Sequence, residues 1–218
     1  MNVDVEAARS ILACAAEIEI TVEGQPLALE SPIGIQDWSG SPTFVCAPES
    51  PLALAGLHGS QVSLNVSSAL SEDDTLLLAG HLRHLAVDNC ACCESDRALI
   101  AVDLSHVLLL RSCASTPIDV ADFCDPMLQL NTGYLRRTEQ HLNESHGDHL
   151  RVAVARLTGR SVRTIGAAQV CALTPTGVDV QWITDDGAHA AALVFGRAAR
   201  NADELGELLR RALHAEIC

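Results

Sequence analysis

The stretch Glu139-Gln140-His141-Leu142-Asn143-Glu144-Ser145-His146-Gly147-Asp148-His149-Leu150 concentrates the side chains that could do chemistry. It holds three His, two Glu, an Asp and an Asn within twelve residues. Imidazole nitrogens carry protons and ligate metals near neutral pH. On a helix, His146 lies on the stripe of Leu142 and Leu150, four residues to either side. It therefore reads either as a ligand or as a hydrogen-bonded core histidine flanked by two exposed ones. His146 and His149, three apart, share a face. His141 and His146 are five apart, about 140° around the axis of one straight helix, which does not bring them to one ion. The pattern is not H-E-x-x-H, so a zincin centre is excluded and no metal site is assigned.

Other constellations carry less. Cys90-Ala91-Cys92-Cys93 could begin a zinc or iron–sulfur site with Glu94 or a distant Cys. The paired C-x-x-C elements of such sites are missing, and unligated thiols in a loop are the expected state. Cys14, Cys46, Cys113, Cys124 and Cys171 read as small core residues, and Cys218 is terminal. In His81-Leu82-Arg83-His84, strand period puts His81 and Arg83 on one face and Leu82 and His84 on the other. Arg83 could hold an anionic ligand or pair with an acid. His214 stands near the end of the last helix, where the macrodipole also favours a solvent-facing His. No P-loop, nucleophile elbow or dinucleotide fingerprint is present.

The elements that must position these groups fall into two parts. Residues 1–16 carry apolar positions at helical spacing, and Ile18, Ile20 and Val22 then alternate with acids as a strand. Strands follow at 32–36, 43–46, 61–66, 75–87 and 105–111, with a short helix at 51–57 and a helix at 94–101. Trp38 to Pro42 is a turn. Gly80 inside a strand marks a bulge or a corner. Six short strands without a βαβ rhythm predict a small antiparallel barrel. The joint falls in the polar stretch 112–126, giving domains 1–116 and 117–218. The second contains one long helix over 133–157, strands at 164–173, 177–184 and 189–195, and a helix over 202–216. Thr174-Pro175-Thr176-Gly177 and Asp185-Asp186-Gly187 are hairpin turns. Asn201 with Glu204 three residues on is a capping-box variant. The class is α+β: an N-terminal split β-barrel and a C-terminal α-β-β-β-α domain.

Composition removes whole classes of function. The 218 residues carry 28 Asp and Glu against 14 basic residues, a net charge of -14, and every basic residue is Arg. Residues 1–135 hold four Arg and 18 acids; residues 136–218 hold ten of each. Phosphate neutralisation needs a basic face, so nucleic acid is excluded as a partner, and anionic lipid with it. Aromatics are only 3% of residues, too few for base-stacking platforms. No apolar run approaches the length of a membrane span. The acidic start MNVDVEAARS is not a signal peptide, which predicts a cytoplasmic protein with reduced thiols.

His141, Asn143, His146 and Asp148 match an H-x-N-x-[DE]-H-x-[DE] helix, and with them the chain resembles the HugZ/HutZ-type heme-utilisation family. Those are split-barrel proteins related to pyridoxamine-phosphate oxidases. Ser145 departs from the pattern where relatives carry an acid. Val178-Asp179-Val180, Leu193-Val194-Phe195-Gly196 and Asp203-Glu204-Leu205 are similar too. The front half resembles the barrel through Ala8-Arg9-Ser10-Ile11-Leu12, Ser50-Pro51-Leu52-Ala53 and Gln61-Val62-Ser63-Leu64-Asn65-Val66. The resemblance implies a homodimer and heme binding in heme utilisation or breakdown. The cofactor contacts would come from His141, His146, His149, His214 and Arg83. FMN is disfavoured: relatives often carry a His-Thr-Arg run after the Ser-x-Leu-Ala element. Here Ala55, Gly56 and Leu57 stand at those positions, with no Arg between Arg9 and Arg83. No residue is assigned as a catalyst, so the resemblance leaves enzyme status open. Two alternatives stand beside heme binding. One is a non-catalytic regulator docking a tetrapyrrole-pathway or redox partner through the acidic half. The other is a flavin-dependent oxidoreductase.

Overall fold

The computed structural model describes residues 2–28, 34–89, 96–112 and 114–213. The chain divides into two compact units, 1–133 and 134–218.

The first unit opens with α1 (Val3–Ala13), capped by the Asn2 side chain, which accepts from the Asp4 N–H. Then come β1 (Ala15–Val22), β2 (Gln25–Pro26), β3 (Ile35–Trp38), β4 (Ser41–Cys46), α2 (Pro51–His58), β5 (Gln61–Ser68), β6 (Asp74–Asn89), β7 (Asp96–Arg111), β8 (Ala114–Ile118) and the short α3 (Val120–Phe123). The strands form one antiparallel sheet of eight, in the order β2-β1-β5-β6-β7-β4-β3, with β8 also on β7. β2 and β3 end the path. Six strands is therefore an undercount: β2 is only two residues long, and β8 lies in the polar, Pro-bearing stretch read as the joint. Trp38 ends a strand, and the turn is confined to Ser39 and Gly40, both at positive φ.

The stretch expected as a helix over 94–101 is strand from Asp96 onward. Ala98 and Ile100 are fully buried, and this end of β7 pairs with β4 on one side and β6 on the other. Sheet pairing outweighs the helix preference of Ala and Leu there. Gly80 sits at a register shift between β6 and β7. A Cβ at Gly80 would lie 2.1 Å from the Asp103 carbonyl oxygen, so only glycine lets the strands approach this closely.

The core of this unit includes Ile11, Leu12, Phe44, Leu64, Leu76 and Ile100. Arg9 is also fully buried within the unit. Its guanidinium donates to both carboxylate oxygens of Asp37 and to the carbonyls of Phe123 and Asp125. It also lies 5.6 Å from the Phe123 ring centroid. Asp37 in turn accepts from the Gly40 N–H. One cation thus ties α1 to β3 and to the end of α3. Ile118, Phe123 and Leu128 belong to the same core.

The second unit contains α4 (Thr132–Ser145, whose first two residues lie in the first unit), α5 (Gly147–Thr158), β9 (Ala167–Thr174), β10 (Gly177–Thr184), β11 (Gly187–Val194) and α6 (Ala202–Leu213). Its sheet is antiparallel in the order β11-β10-β9, joined by the two turns read from sequence. Val178 and Val180 are buried on one face, with Leu150, Val154, Leu205 and Leu209 buried on the helices. Asn201 caps α6 by accepting from the Glu204 N–H. The Glu204 carboxylate reaches back to the Arg200 N–H, completing the box one residue early. No helix among the described residues is long and apolar enough to cross a membrane.

Candidate functional site

The single long helix expected over 133–157 is broken at His146. This residue stands between α4 and α5 with φ −126° and ψ 22°. Its N–H still donates to Leu142 O, and its carbonyl still accepts from Leu150 N–H. The break removes the 140° separation that a straight helix imposes. His141 and His146 come together, with Nε2 to Nε2 at 3.3 Å. On the other side, His146 Nδ1 lies 3.4 Å from His149 Nδ1. Ser145 Oγ stands 3.4 Å from His141 Nδ1. Three imidazoles therefore form one chain, with buried His146 between exposed His141 and His149.

Protons can be placed along this chain in only a few ways. With all rings neutral, two arrangements connect the rings, each the reverse of the other; in the one that frees His149 Nε2, His149 Nδ1–H donates to His146 Nδ1 and His146 Nε2–H donates to His141 Nε2. His141 Nδ1–H then donates to Ser145 Oγ. His149 Nε2 is left as an exposed lone pair with no hydrogen bond among the described residues. Neutrality suits the site. Burial, and then the charges of His141 and His149, push the His146 pKa below its ordinary 6.5. Because His146 uses a different nitrogen toward each neighbour, the three rings do not converge on one point. No group of three or more His, Cys, Asp or Glu among the described residues is placed to hold a metal ion.

Asn143, within the same motif, has a different task. Its amide donates to Val170 O and accepts from Val170 N–H, both at 2.8 Å, and so fastens α4 to the free edge of β9. Asp148 is 95% exposed and, among the described residues, pairs with Arg151 alone. His141 also lines a groove of about 300 Å³ between α4 and α6, with Tyr134, Asp203, Glu207 and Arg210. Arg83 stands on the open face of the first unit's sheet in an ion pair with Asp103, both about half exposed. His214 and the cluster Cys90–Cys93 lie outside the described residues, as do Cys113 and Cys218. Cys46, Cys124 and Cys171 are free thiols, and Cys14 is buried.

One group was not anticipated from sequence. A cavity of about 440 Å³ on the second unit's sheet is lined by Ala168, Gln181, Trp182, Ile183, Ala188 and His189, among others. The Trp182 and His189 rings stack with centroids 5.5 Å apart. Trp182 Nε1 is buried with no partner among the described residues. His189 Nε2 contacts Thr184 Oγ1 at 2.8 Å and Asp186 Oδ1 at 3.2 Å. The Thr184 hydroxyl also donates to Asp186. The Arg160 guanidinium, then Thr184 and His189, holds the Asp186 carboxyl far below the usual carboxylate range. The signal was available: a hairpin closing at Thr184 and Gly187 sets Trp182 directly opposite His189.

No family model matches the chain, and no curated protein is similar to it. Among solved structures, the chain is similar to a heme binding protein from Mycobacterium smegmatis. Identity is 18%, with 99% of each chain covered and a TM-score of 0.45. A protein of unknown function from Agrobacterium tumefaciens is 17% identical, covering 95% of this chain and 94% of that one, at a TM-score of 0.43. A protein assigned as general stress protein 26 from a Jannaschia species is 15% identical, covering 87% and 96%, at 0.39. At these identities and scores, none of the three assigns a residue or a ligand to this chain.

Proposed function

We propose that the protein binds heme, in heme utilisation or breakdown, through an imidazole at the α4–α5 junction. The observation that carries this is exposed His149, whose Nδ1 lies 3.4 Å from His146 Nδ1 and which therefore keeps Nε2 for a ligand. An axial ligand needs one free imidazole nitrogen and a partner on the other nitrogen to fix its tautomer. His149 meets both conditions, and the lowered pKa of His146 keeps the backing ring neutral and able to accept. His141 closes the chain behind it.

The charge distribution favours the same unit. Two propionates need cations, and ten of the 14 Arg lie in residues 136–218. The first unit, with 18 acids against four Arg, would repel them. When bound, heme supplies the iron chemistry, and the protein supplies ligand, orientation and charge. We read the eight-stranded sheet as the split barrel of the resembled family, in a homodimer.

The test is a hemin titration of the purified protein followed by its Soret band. Saturation at one heme per chain or per dimer is expected, with the band lost or shifted in His149→Ala and weakened in His146→Ala. An unsaturable titration overturns the proposal. A saturable one untouched by either substitution, but lost in His214→Ala, moves the ligand to the last helix.

A second reading is favoured by one observation. In the first unit, Arg9, Arg83 and Arg111 are all paired with the unit's own acids. Glu17 and Glu19 on β1 remain exposed. Such a face suits a partner with a basic patch, with association that weakens as salt rises. Capture of a partner that elutes with salt, together with a failed hemin titration, would select this reading.

A further inference from the structure

We propose that β11 is a self-association edge, pairing antiparallel with β11 of a second copy of this chain to form a continuous six-stranded sheet. The inference is independent of heme and concerns a surface outside the histidine chain.

The two edges of the second unit's sheet are treated differently. The outward N–H and C=O of Val170, at the middle of β9, are taken by the Asn143 amide, and β9 carries a register shift beside it. Both devices block strand addition. β11 has neither. It runs for eight residues, Gly187–Val194, paired to β10 without a register shift, and contains no Asp, Glu, Arg or Pro. The Phe195 N–H donates to Thr176 O. Antiparallel alternation from that pair turns the backbone groups of Ala188, Ala190, Ala192 and Val194 outward. These groups make no hydrogen bond among the described residues. All four residues are exposed, Val194 by 82%.

Three features select a second copy over an unrelated strand. The first is register. A two-fold axis at Ala191 sets Ala188 opposite Val194 of the other copy and Ala190 opposite Ala192. Every outward pair then meets an outward pair. The second is shape. The other copy's Val194 lands on Ala188, whose neighbour on β10 is Ile183, itself 56% exposed. Alanine between them leaves room for these two large apolar side chains to close over it. The third is charge. Copies of a chain with net charge -14 repel one another, but residues 136–218 balance ten Arg with ten acids. The second unit is the half through which two copies can approach without that repulsion.

The test uses the full-length protein without heme, so its outcome is separate from that of the hemin titration. Mass is measured by light scattering and sedimentation over a wide concentration range. Ala192→Pro removes an outward N–H and no bond to β10, a position where an edge strand tolerates proline. Two hydrogen bonds are lost per dimer, raising the dissociation constant by about thirtyfold. Ala190→Lys with Ala192→Lys sets like charges opposite each other twice and should abolish the step altogether. Unchanged circular dichroism and melting of the dissociated form show that each variant folds. Amide exchange supplies the local readout: the amides of positions 190 and 194 are slow at high concentration in the parent and fast in both variants. A step in mass that the substitutions remove, from dimer to monomer or from tetramer to dimer, supports the proposal. A protein monomeric at every concentration overturns it and leaves the edge to a foreign strand. Assembly that neither variant disturbs overturns it as well.

Discussion

Replacing Arg9 with Met separates two roles that a buried arginine can have, since Met keeps most of the volume and discards the charge. In the parent, Arg9 has no solvent exposure, and the Asp37 side chain is only 5% exposed. Arg9→Met strands that carboxylate away from water without its cation, a change that costs about 3–5 kcal/mol. The Phe123 carbonyl, 2.7 Å from Arg9 Nη1, loses its donor too, adding about 1 kcal/mol or more. For a unit of 133 residues, the melting temperature should fall by roughly 10–20 °C. The assay is thermal and urea unfolding followed by circular dichroism, with two comparisons. Arg83→Ala removes a pair exposed by 54% and 53% and should cost less than about 1 kcal/mol. Arg9→Met with Asp37→Asn removes the stranded charge, while the Asn oxygen can still accept from the Gly40 N–H. It should recover about 2 kcal/mol of the loss. The reasoning is refuted if Arg9→Met costs no more than Arg83→Ala, or if the double variant is no more stable than the single one.

Three further outcomes follow from the geometry. His146 has a folded-state pKa below 6.5, so its contribution is complete above pH 6.5 and declines as pH falls below it. His146→Leu should flatten the stability profile in that acid range, measured as urea midpoints against pH. The Glu204 carboxyl is held at about 2, against an ordinary 4.5, first by the Arg200 hydrogen bond. Its contribution is present above pH 4.5 and lost as pH falls toward 2; Glu204→Gln should remove that dependence in helix content followed by circular dichroism. At Gly80, alanine forces β6 and β7 apart at Asp103 and should cost about 1–3 kcal/mol, read from the thermal transition.

Much of the fold was legible because it was local. The alternation in β1 and β5, the two hairpin turns of the second unit and the Asn201 cap each reside in a few consecutive residues, and each stands where the sequence placed it. The failures were nonlocal. Residues 96–101 are rich in Ala and Leu, and nothing within that window reveals that β4 and β6 lie on either side of it. No residue near Arg9 in the sequence marks it for burial. Its burial depends on Asp37, Phe123 and Asp125, which are 28 to 116 residues away.

The histidine segment shows how one backbone angle decides what a motif can do. The sequence located all three imidazoles, and its geometry for a straight helix was sound, yet that geometry kept His141 from His146. A single residue outside helical φ and ψ joins them. Gly147 directly after it is a poor helix residue and is the local cue for the break. Asn143 then acquires its meaning from the sheet: its amide holds α4 against Val170 while the chain turns at His146. The H-x-N-x-x-H spacing thus combines a clamp with a bend, and the bend makes a relay out of rings that a regular helix would scatter. The same clamp closes one edge of the sheet and leaves β11 as the edge free to pair. Asn143→Leu should therefore act at two places: it would loosen the imidazole chain, and it would leave the middle of β9 as open to strand addition as β11. A variant that alters neither His146 titration, followed by NMR, nor the exchange rate of the Val170 amide would show that the clamp and the bend are unrelated.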